Sequence, residues 1–263
     1  MRIAVAATAP FGADVLGRLA AEQEIAFLLT RPDRPRGRGR RPGPPPARQA
    51  AERLGIPVIQ ADRLTGDVTL GADTIVAVAY GLLVPEPLLE RHLWLNVHPS
   101  LLPRWRGAAP VERAIMAGDD ETGVTIIRLV KELDAGPIAA QGAFPIAEED
   151  DAGAVFARAA QLAVELLRGV LPEPSFRPQP SEGATYAHKI TAEDRWIDWS
   201  RPPEEVVNRI RALSPHIGAR GELHGRDVIV WRARVAGGRV EPIEVQPAGG
   251  RRMPYDDFVR GLR

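Results

Sequence analysis

The spacing of apolar and polar residues predicts a chain in which short strands alternate with helices. Apolar runs of strand length lie at Ile3–Ala7, Ile25–Thr30, Pro57–Gln60, Thr74–Ala79, Leu93–His98 and Val124–Val130. Helical spacing is found near Ala13–Ala21, Ala47–Leu54, Pro110–Ala117 and Ala154–Val170. This alternation is typical of an α/β fold with a mainly parallel sheet, because parallel neighbours need crossover connections between them.

The chain changes character after a proline-rich stretch, and the change predicts two domains. Four prolines between residues 172 and 180 indicate a linker, because proline interrupts both helices and strands. Beyond it, the spacing predicts a short helix at Glu204–Leu213 and strands at Asp227–Val235 and Arg239–Val245. We therefore expect one domain at residues 1–180 and a smaller, β-rich one at residues 181–263.

Composition narrows the class of protein. The 263 residues are 44% hydrophobic, enough for a sizeable core, and they include no cysteine, so disulfides and thiolate metal sites are excluded. No apolar run approaches the ~18 residues of a membrane span and no signal-peptide pattern is present, so we expect a cytoplasmic protein without membrane contact. The first strand is not followed by G-x-G-x-x-G or G-x-x-x-x-G-K, which argues against a dinucleotide or nucleoside triphosphate.

The strongest candidate chemistry lies where the fifth apolar run ends. Asn96 and His98 are two residues apart at the end of Leu93–His98, and alternate residues of a strand point to the same face. Pro99 has no N–H and ends the strand there. An amide and an imidazole on one face can bind a small oxyanion, although an isolated N-x-H also fits a strand end with a half-buried histidine.

An acidic residue follows the next apolar run. Asp134 lies in Leu133–Gly136, a glycine-containing turn after Val124–Val130. A carboxylate near an imidazole favours its charged form and can take up a proton through water, which suits attack of an amine on a one-carbon acyl group. Taken alone, such an aspartate is more often only a turn residue.

Charge is balanced over the whole chain but not locally. Lysine and arginine together number 34, as do aspartate and glutamate. Between residues 31 and 48, however, seven arginines and a single acid, Asp33, are interspersed with glycine and proline. Such a segment has little to bury, so we expect an exposed loop without regular structure. It is either a solvated linker or a site where arginines bind the phosphates of a polyanion.

Taken together, these segments resemble the folate-dependent formyltransferases, in which an N-x-H strand end and an LD-x-G turn carry the chemistry. Within that family, NVHPSLLPRWRGAAPVERAIMAGDDETGVTI at residues 96–126 is similar to the methionyl-tRNA formyltransferases. The glycinamide-ribonucleotide enzymes share NxHPSLLP but not RWRGAAP. Further matches are RPDRPRGRGRRPGPPPARQ at 31–49, AYGLLVP at 79–85, TYAHKI at 185–190, IDWS at 197–200 and QPAGGRRM at 246–253.

The resemblance implies a Rossmann-like catalytic domain and the roles of three residues. Asn96 and protonated His98 would stabilise the oxyanion, while Asp134 would keep His98 charged and relay a proton. The co-substrate would be 10-formyltetrahydrofolate, and no metal is required. Its pterin would lie against two stretches of chain, which are Tyr80, Gly81, Leu82, Leu83 and Val84, and Ser100, Leu101, Leu102 and Pro103.

The resemblance also implies a nucleic-acid partner, initiator methionyl-tRNA. Its acceptor end would be bound by arginines of the charged segment, namely Arg36, Arg38, Arg40 and Arg41, with Arg38 the foremost. The C-terminal domain would be a small β-barrel of oligonucleotide-binding type that supports the tRNA. Because the chain passes from Trp231 to Glu244–Gly249 over a very short connection, we expect this barrel to be abbreviated or open. We expect a monomer.

Some interpretations stay open on the sequence alone. Arg104–Arg106 is either a surface loop or a cationic rim near a substrate. The same catalytic trio would serve formyl transfer to an amino sugar or a nucleotide, although the arginine-rich segment and the C-terminal motifs argue against that. A non-catalytic RNA- or folate-binding homologue is a further alternative.

Overall fold

The secondary structure alternates along the chain as the apolar pattern predicts. The computed structural model describes residues 2–36, 41–171 and 173–262. Up to the seventh strand the elements are β1 Ile3–Ala7, α1 Pro10–Ala20, β2 Ile25–Thr30, β3 Arg34–Arg36, β4 Arg41–Gly43, α2 Pro46–Arg53, β5 Val58–Gln60, β6 Thr74–Val78, α3 Glu86–Arg91 and β7 Leu93–His98.

The remaining elements include the last two strands of a seven-stranded sheet, a short two-stranded pair and a separate four-stranded sheet. They are β8 Arg106–Gly107, α4 Pro110–Ala117, β9 Glu121–Arg128, β10 Ile138–Pro145, α5 Ala152–Val170, β11 Tyr186–Ala187, a 3₁₀ turn Glu193–Arg195, α6 Pro203–Leu213, β12 Ala219–Leu223, β13 Arg226–Ala236, β14 Arg239–Pro247, β15 Met253–Pro254 and α7 Tyr255–Arg260.

The larger sheet has seven strands in the order β10-β9-β7-β6-β1-β2-β5. The strands from β7 to β5 are parallel to their neighbours, whereas β9 runs antiparallel to β7. The chain leaves β1 toward β2 on one side and returns to β6 on the other. The carboxyl ends of β1 and β6 therefore form a topological switch point, the place where α/β sheets usually bind ligands.

Proline begins four of the helices, and one glycine allows a close approach between helix and parallel sheet. Helices α1, α2, α4 and α6 all begin at a proline, which is favoured there because its missing N–H has no partner in the first helical turn. Gly12 lets α1 lie against the sheet, since a Cβ at this position would be 2.5 Å from the Val78 carbonyl oxygen. Close packing of the first helix is thus achieved without G-x-G-x-x-G.

One face of the sheet carries a large apolar cluster that extends over its central strands. Ala4 and Ala6 of β1, Phe27 and Leu29 of β2, Ile75 and Ala77 of β6, Trp94 of β7, and Tyr80 all belong to it. Because side chains alternate along a strand, residues two positions beyond these point to the same face. We call this side of the sheet the cluster face.

The C-terminal strands form a separate antiparallel sheet in the order β12-β13-β14-β15. Val206, Ile210 and Leu213 of α6 bury their side chains in a cluster with Val228 and Val245 of this sheet, which Phe258 of α7 joins. The described residues include no pairing between the first and last strands, so the sheet is open. The predicted fold class, with its abbreviated C-terminal β structure, is confirmed.

The chain forms two compact units, and each is drawn from several segments. The first comprises Met1–Arg106, Gly123–Ala143 and Ala157–Ala184, and the second Gly107–Thr122, Phe144–Phe156 and Thr185–Arg263. The division at residue 180 stays a prediction. In the described part of the chain, no helix has the length and apolar character needed to cross a membrane.

Several elements differ from the expectation. The strand predicted at Val124–Val130 runs from Glu121 to Arg128, and its neighbour β10 was not predicted because IAAQGAFP lacks the usual strand residues. Glycines make their pairing possible, since a Cβ on Gly123 would lie 2.0 Å from the Gly142 carbonyl oxygen. The arginine-rich segment, expected to lack regular structure, contains the antiparallel pair β3–β4.

Candidate active site

Asn96 and His98 lie on the cluster face at the carboxyl end of β7. Trp94 of the same strand belongs to the cluster, so strand alternation turns Asn96 and His98 to that face as the sequence predicts. Asn96 pairs with Ala77 of β6, which places it level with the ends of the parallel strands. The two side chains thus lie beside the switch point of the sheet.

Asp134 joins these two residues from the turn after β9. Asn96 Nδ2 donates a hydrogen bond to Asp134 Oδ1 over 3.2 Å, and His98 Nδ1 lies 3.6 Å from Asp134 Oδ2. His98 and Asp134 are both buried. The structure therefore brings together all three residues for which the sequence predicts catalysis.

The second nitrogen of His98 is held by a group that sequence reasoning missed. His98 Nε2 lies 2.8 Å from the carbonyl oxygen of Trp105. Because a carbonyl only accepts, Nε2 must carry a proton in this arrangement. Nδ1, the other ring nitrogen, faces Asp134. No side-chain motif announces a backbone carbonyl, so the sequence held no signal for it.

The backbone of the LD-x-G turn explains its residue types. Asp134 has φ +48°, a left-handed conformation that aspartate tolerates better than most residues. A Cβ on Gly136 would lie 1.8 Å from the carbonyl oxygen of Arg128, so only glycine fits there. The turn folds tightly against the end of β9 and presents the Asp134 carboxylate to β7.

Gln179 holds this turn from the proline-rich stretch. Its Nε2 donates to the carbonyl oxygens of Asp134 and Gly136, both over 2.7 Å, and its Oε1 accepts from Arg106 Nη2 over 2.7 Å. Arg177 pairs through its backbone with Ile138. Hydrogen bonds therefore anchor these residues, and the interpretation of the stretch as a linker between domains stays a prediction. The only sequence signal for this role of Gln179 was its position as a polar residue between two prolines.

Ser100–Pro103, predicted to contact the pterin, is fixed by a buried polar network. Ser100 Oγ donates to the carbonyl oxygen of Arg104, and the Leu102 N–H donates to Thr125 Oγ1. Thr125 Oγ1 in turn donates to the Ser100 carbonyl, and Gln141 Nε2 donates to the Leu102 carbonyl. The network positions the stretch directly after His98, while Leu101 and Pro103 stay partly accessible.

The other predicted pterin contacts lie in the loop after β6. Tyr80 is buried in the apolar cluster, and Thr8 Oγ1 donates to its carbonyl oxygen over 2.8 Å. Gly81 has φ +76°. Leu82 and Val84 pack partly against the cluster, whereas Leu83 is 91% exposed. An exposed leucine on an ordered loop suits contact with a flat apolar ring.

Two of the four arginines predicted to bind tRNA belong to the described part of the chain. Arg36 and Arg41 pair through their backbones at the ends of β3 and β4, and Arg38 and Arg40 lie outside the described residues. Of the open Arg104–Arg106 stretch, the Arg104 guanidinium lies 4.5 Å from the centre of the Trp105 ring. Arg106 supports Gln179 instead of forming a rim. In the described ranges, no three His, Asp or Glu side chains are grouped to hold a metal ion.

Comparison with known proteins identifies the family to which the chain belongs. Residues 1–171 match the family described as formyl transferase, and residues 189–242 match the formyl transferase C-terminal domain. Methionyl-tRNA formyltransferase of Paracoccus denitrificans is 41% identical, with 100% of this chain and 98% of the relative covered. That of Dechloromonas aromatica is 39% identical, with 99% and 96% covered.

Solved structures with low sequence identity share the fold. Methionyl-tRNA formyltransferase from Clostridium thermocellum superposes with a TM-score of 0.70 at 18% identity, covering 94% of this chain and 98% of that one. The sugar 3N-formyl transferase WlaRD, solved with dTDP and 5-N-formyl-THF, gives 0.65 at 15% identity, with 90% and 87% covered. HypX from Aquifex aeolicus with tetrahydrofolic acid gives 0.66 at 19% identity, with 98% and 47% covered.

Proposed function

The chain belongs to the methionyl-tRNA formyltransferases, and on that basis we propose that it formylates the α-amine of methionyl initiator tRNA with 10-formyltetrahydrofolate as donor. The observation that carries the proposal is the meeting of Asn96, His98 and Asp134 at the carboxyl edge of the sheet. An amide, an imidazole and a carboxylate are side-chain types that suit the attack of an amine on a formyl group. The product would be N-formylmethionyl-tRNA, which serves translation initiation.

The proposed reaction begins when the amine nitrogen attacks the formyl carbon and forms a C–N bond. The formyl oxygen takes up negative charge, and the bond between the formyl carbon and N10 of the folate then breaks. Over the reaction the amine loses one proton and N10 gains one, so the products are the formamide and tetrahydrofolate. The barrier depends on stabilising the oxyanion and on moving that proton.

Asn96 and His98 supply the donors in this proposal. Both approach the carboxylate of Asp134, so their donors point toward one place. A formyl oxygen beside that carboxylate would meet the second N–H of Asn96 and, when the imidazole is protonated, His98 Nδ1–H. Each such donor typically contributes about 3 kcal/mol of transition-state stabilisation. Asp134 receives the amine proton through water.

The two substrates would approach this centre along different loops. We propose that Tyr80–Val84 and Ser100–Pro103 contact the pterin, which the exposed Leu83 supports. Arg36, Arg38, Arg40 and Arg41 would bind the acceptor end of the tRNA, and residues 181–263 would support its body. Guanidinium groups suit phosphates because they present several donors in one plane.

A competition assay tests the proposed function. The protein is incubated with 10-formyltetrahydrofolate and methionyl initiator tRNA, with elongator methionyl-tRNA and a UDP-amino sugar as competing acceptors. We expect formylation of the initiator tRNA in preference to both. Asp134→Asn is the control for chemistry, because asparagine also tolerates a left-handed backbone but lacks the charge. Preferential formylation of the sugar, or equal rates with Asp134→Asn, would contradict the proposal.

A further inference from the structure

Two buried polar atoms near the site lack partners. Arg31 Nε and Tyr80 Oη are both inaccessible to solvent, and neither has a hydrogen-bond partner in the described part of the chain. Tyr80 as a whole residue is only 4% exposed. Buried donors without partners carry a free-energy cost, so a pair of them close together calls for an explanation.

Arg31 and Tyr80 are neighbours on the cluster face. Leu29 of β2 and Tyr80 belong to the same cluster, and Arg31 follows Leu29 by two residues. Arg31 Nη1 lies 3.7 Å from the position that a Cβ on Gly81 would occupy, so the guanidinium rests against the loop after β6. The positive charge of Arg31 also acts on the Tyr80 hydroxyl. One arginine and one phenol therefore converge beside the switch point.

This pair faces the same way as the catalytic trio but stands three strands away. The sheet order β7-β6-β1-β2 separates His98 from Arg31 by three strand spacings, or roughly 14 Å. Asn96 and His98 share the cluster face and the carboxyl edge with the pair. A substrate that reacts beside His98 and extends along this edge would reach Arg31 with another of its groups.

The chemistry of the pair selects an oxyanion. The arginine is a permanent cation. Burial raises the pKa of the Tyr80 hydroxyl, although the nearby Arg31 charge acts in the opposite direction, so the phenol stays protonated and donates. The pair offers two donors and one positive charge and contains no carboxylate. It therefore fits an oxygen of a phosphate or a carboxylate.

The position of Arg31 in the chain favours a phosphate of the tRNA over a carboxylate of the folate as the bound oxyanion. Arg31 is the first residue of the arginine-rich segment for which tRNA binding is proposed, and it follows β2 directly. In a methionyl-tRNA, one ribose and the aminoacyl ester separate the reactive amine from the nearest phosphodiester. That separation plus the length of an arginine side chain is comparable with the roughly 14 Å between Arg31 and His98.

We propose that Arg31, which is partly exposed, binds the 5′ phosphodiester of the terminal tRNA nucleotide, and that the buried Tyr80 hydroxyl completes this subsite when the substrate is bound. This inference rests on the proposed function and adds a contact next to the reacting aminoacyl ester. The backbone of Tyr80–Val84 stays available to the folate, because the subsite uses only the side chain of Tyr80. The subsite orients the ester so that its amine lies beside Asn96 and His98.

Minimal acceptors test the subsite directly. Methionine esterified to cytidylyl-(3′→5′)-adenosine carries the phosphodiester, and methionine esterified to adenosine lacks it. We expect the intact protein to prefer the first in kcat/KM by at least tenfold. Arg31→Gln and Tyr80→Phe should each reduce this preference severalfold, and Arg31→Lys should retain part of it. Arg18→Gln is the matched control, because Arg18 lies outside the arginine-rich segment, pairs with Asp14 on the surface and should keep the preference.

Distinct results would overturn the subsite. Equal losses on both esters would assign Arg31 and Tyr80 a merely structural role. A raised KM for 10-formyltetrahydrofolate with an unchanged ester preference would assign the pair to a folate carboxylate. If the esters react too slowly, the same two compounds are compared as inhibitors of methionyl-tRNA formylation, with the same expected preference. Failure of the intact protein to formylate methionyl-tRNA would instead contradict the proposed function.

Discussion

At the scale of single residues, the candidate site depends on how a few polar groups are directed. Asp134 accepts from Asn96 and faces His98 Nδ1, while Trp105 takes the opposite N–H of the imidazole through its carbonyl. Trp105 and Asp134 both have positive φ angles, of 64° and 48°. Such conformations cost free energy in non-glycine residues and are often found at functional sites. The backbone is therefore part of the site, together with the side chains.

We expect Asn96→Ala and His98→Ala each to lower kcat at least ~100-fold, because each removes a donor needed mainly in the transition state. The measurement is steady-state formylation of methionyl-tRNA, with circular dichroism to show that the variants are folded. His92→Ala is the matched control, because His92 also bonds a backbone carbonyl, that of Ala72, but precedes β7 at its other end. A loss of kcat in His92→Ala as large as in His98→Ala would contradict the assignment.

At the scale of elements, the site is assembled from segments that are far apart in sequence. The turn carrying Asp134 is held against β9 by the close fit of Gly136 at Arg128, and from the proline-rich stretch by Gln179. Arg106, which follows the stretch after β7, fixes Gln179. The side-chain oxygen and nitrogen of Gln179 are engaged by Arg106, Asp134 and Gly136, so we expect it to act through Asp134 as a positioning residue.

We expect Gln179→Ala to lower kcat about tenfold with little change in KM for either substrate, because the Asp134 carboxylate loses its fixed direction. Arg106→Ala should have a smaller effect and should add nothing further in the Gln179→Ala background, since both act through the same turn. Gln161→Ala, which affects only an exposed pair with Glu165 on α5, serves as the control. Fully additive effects of the two variants would exclude this coupling.

The second unit contains an ion pair whose pH dependence can be predicted. Arg113 donates two hydrogen bonds to Asp194, and mainly for this reason the pKa of Asp194 falls from 3.8 to about 2. A lowered pKa stabilises the folded state above the ordinary pKa, and this contribution disappears as the pH falls toward 2. Arg113 also donates to the His188 carbonyl, so the pair joins three segments of the unit.

We expect Asp194→Asn to lower the free energy of unfolding by ~2 kcal/mol at pH 7. The difference from the parent protein should shrink between pH values of about 4 and 2, because the parent loses its charge there. Denaturant unfolding of both proteins across this range measures it. Asp14→Asn, in an exposed pair with Arg18, should cost much less. A constant difference down to pH 2 would rule out the ion pair as its cause.

At the scale of the whole molecule, net charge gives no hint of the partner. The chain carries equal numbers of acidic and basic residues, yet seven arginines lie within one stretch after β2. A locally concentrated charge of this kind attracts a polyanion without making the whole protein basic. Several surface arginines elsewhere are neutralised by paired acids, as Arg201 is by Glu205 and Arg234 by Glu241.

We expect simultaneous replacement of Arg36, Arg38, Arg40 and Arg41 by glutamine to raise the KM for tRNA and to flatten its dependence on salt, by roughly one unit of slope per lost phosphate contact. The KM for 10-formyltetrahydrofolate should stay nearly constant. The control is Arg18→Gln, which removes a surface arginine already paired with Asp14 and outside both proposed tRNA-binding regions. An unchanged salt slope in the fourfold variant would make this segment a solvated linker.

Local patterns were sufficient for most elements. β1, β2, β7 and α4 have the predicted bounds because each has a clear apolar period or run with a proline or a turn at its end. β10 and β12 were missed because glycine, alanine and charged residues interrupt their patterns. Their pairing depends on neighbours such as Gly123 and β13, which local spacing does not contain.

The sequence by itself determined the α/β class, the shared face of Asn96 and His98, and the glycine turn that holds Asp134. These follow from periods of two and 3.6 residues and from the backbone freedom of glycine, which act over a few residues. Only the tertiary structure decided that Asp134 meets His98, that the Trp105 carbonyl holds the other imidazole nitrogen, and that Gln179 clamps the turn. Those contacts join segments up to tens of residues apart, and strand order and packing, which no short pattern encodes, bring them together.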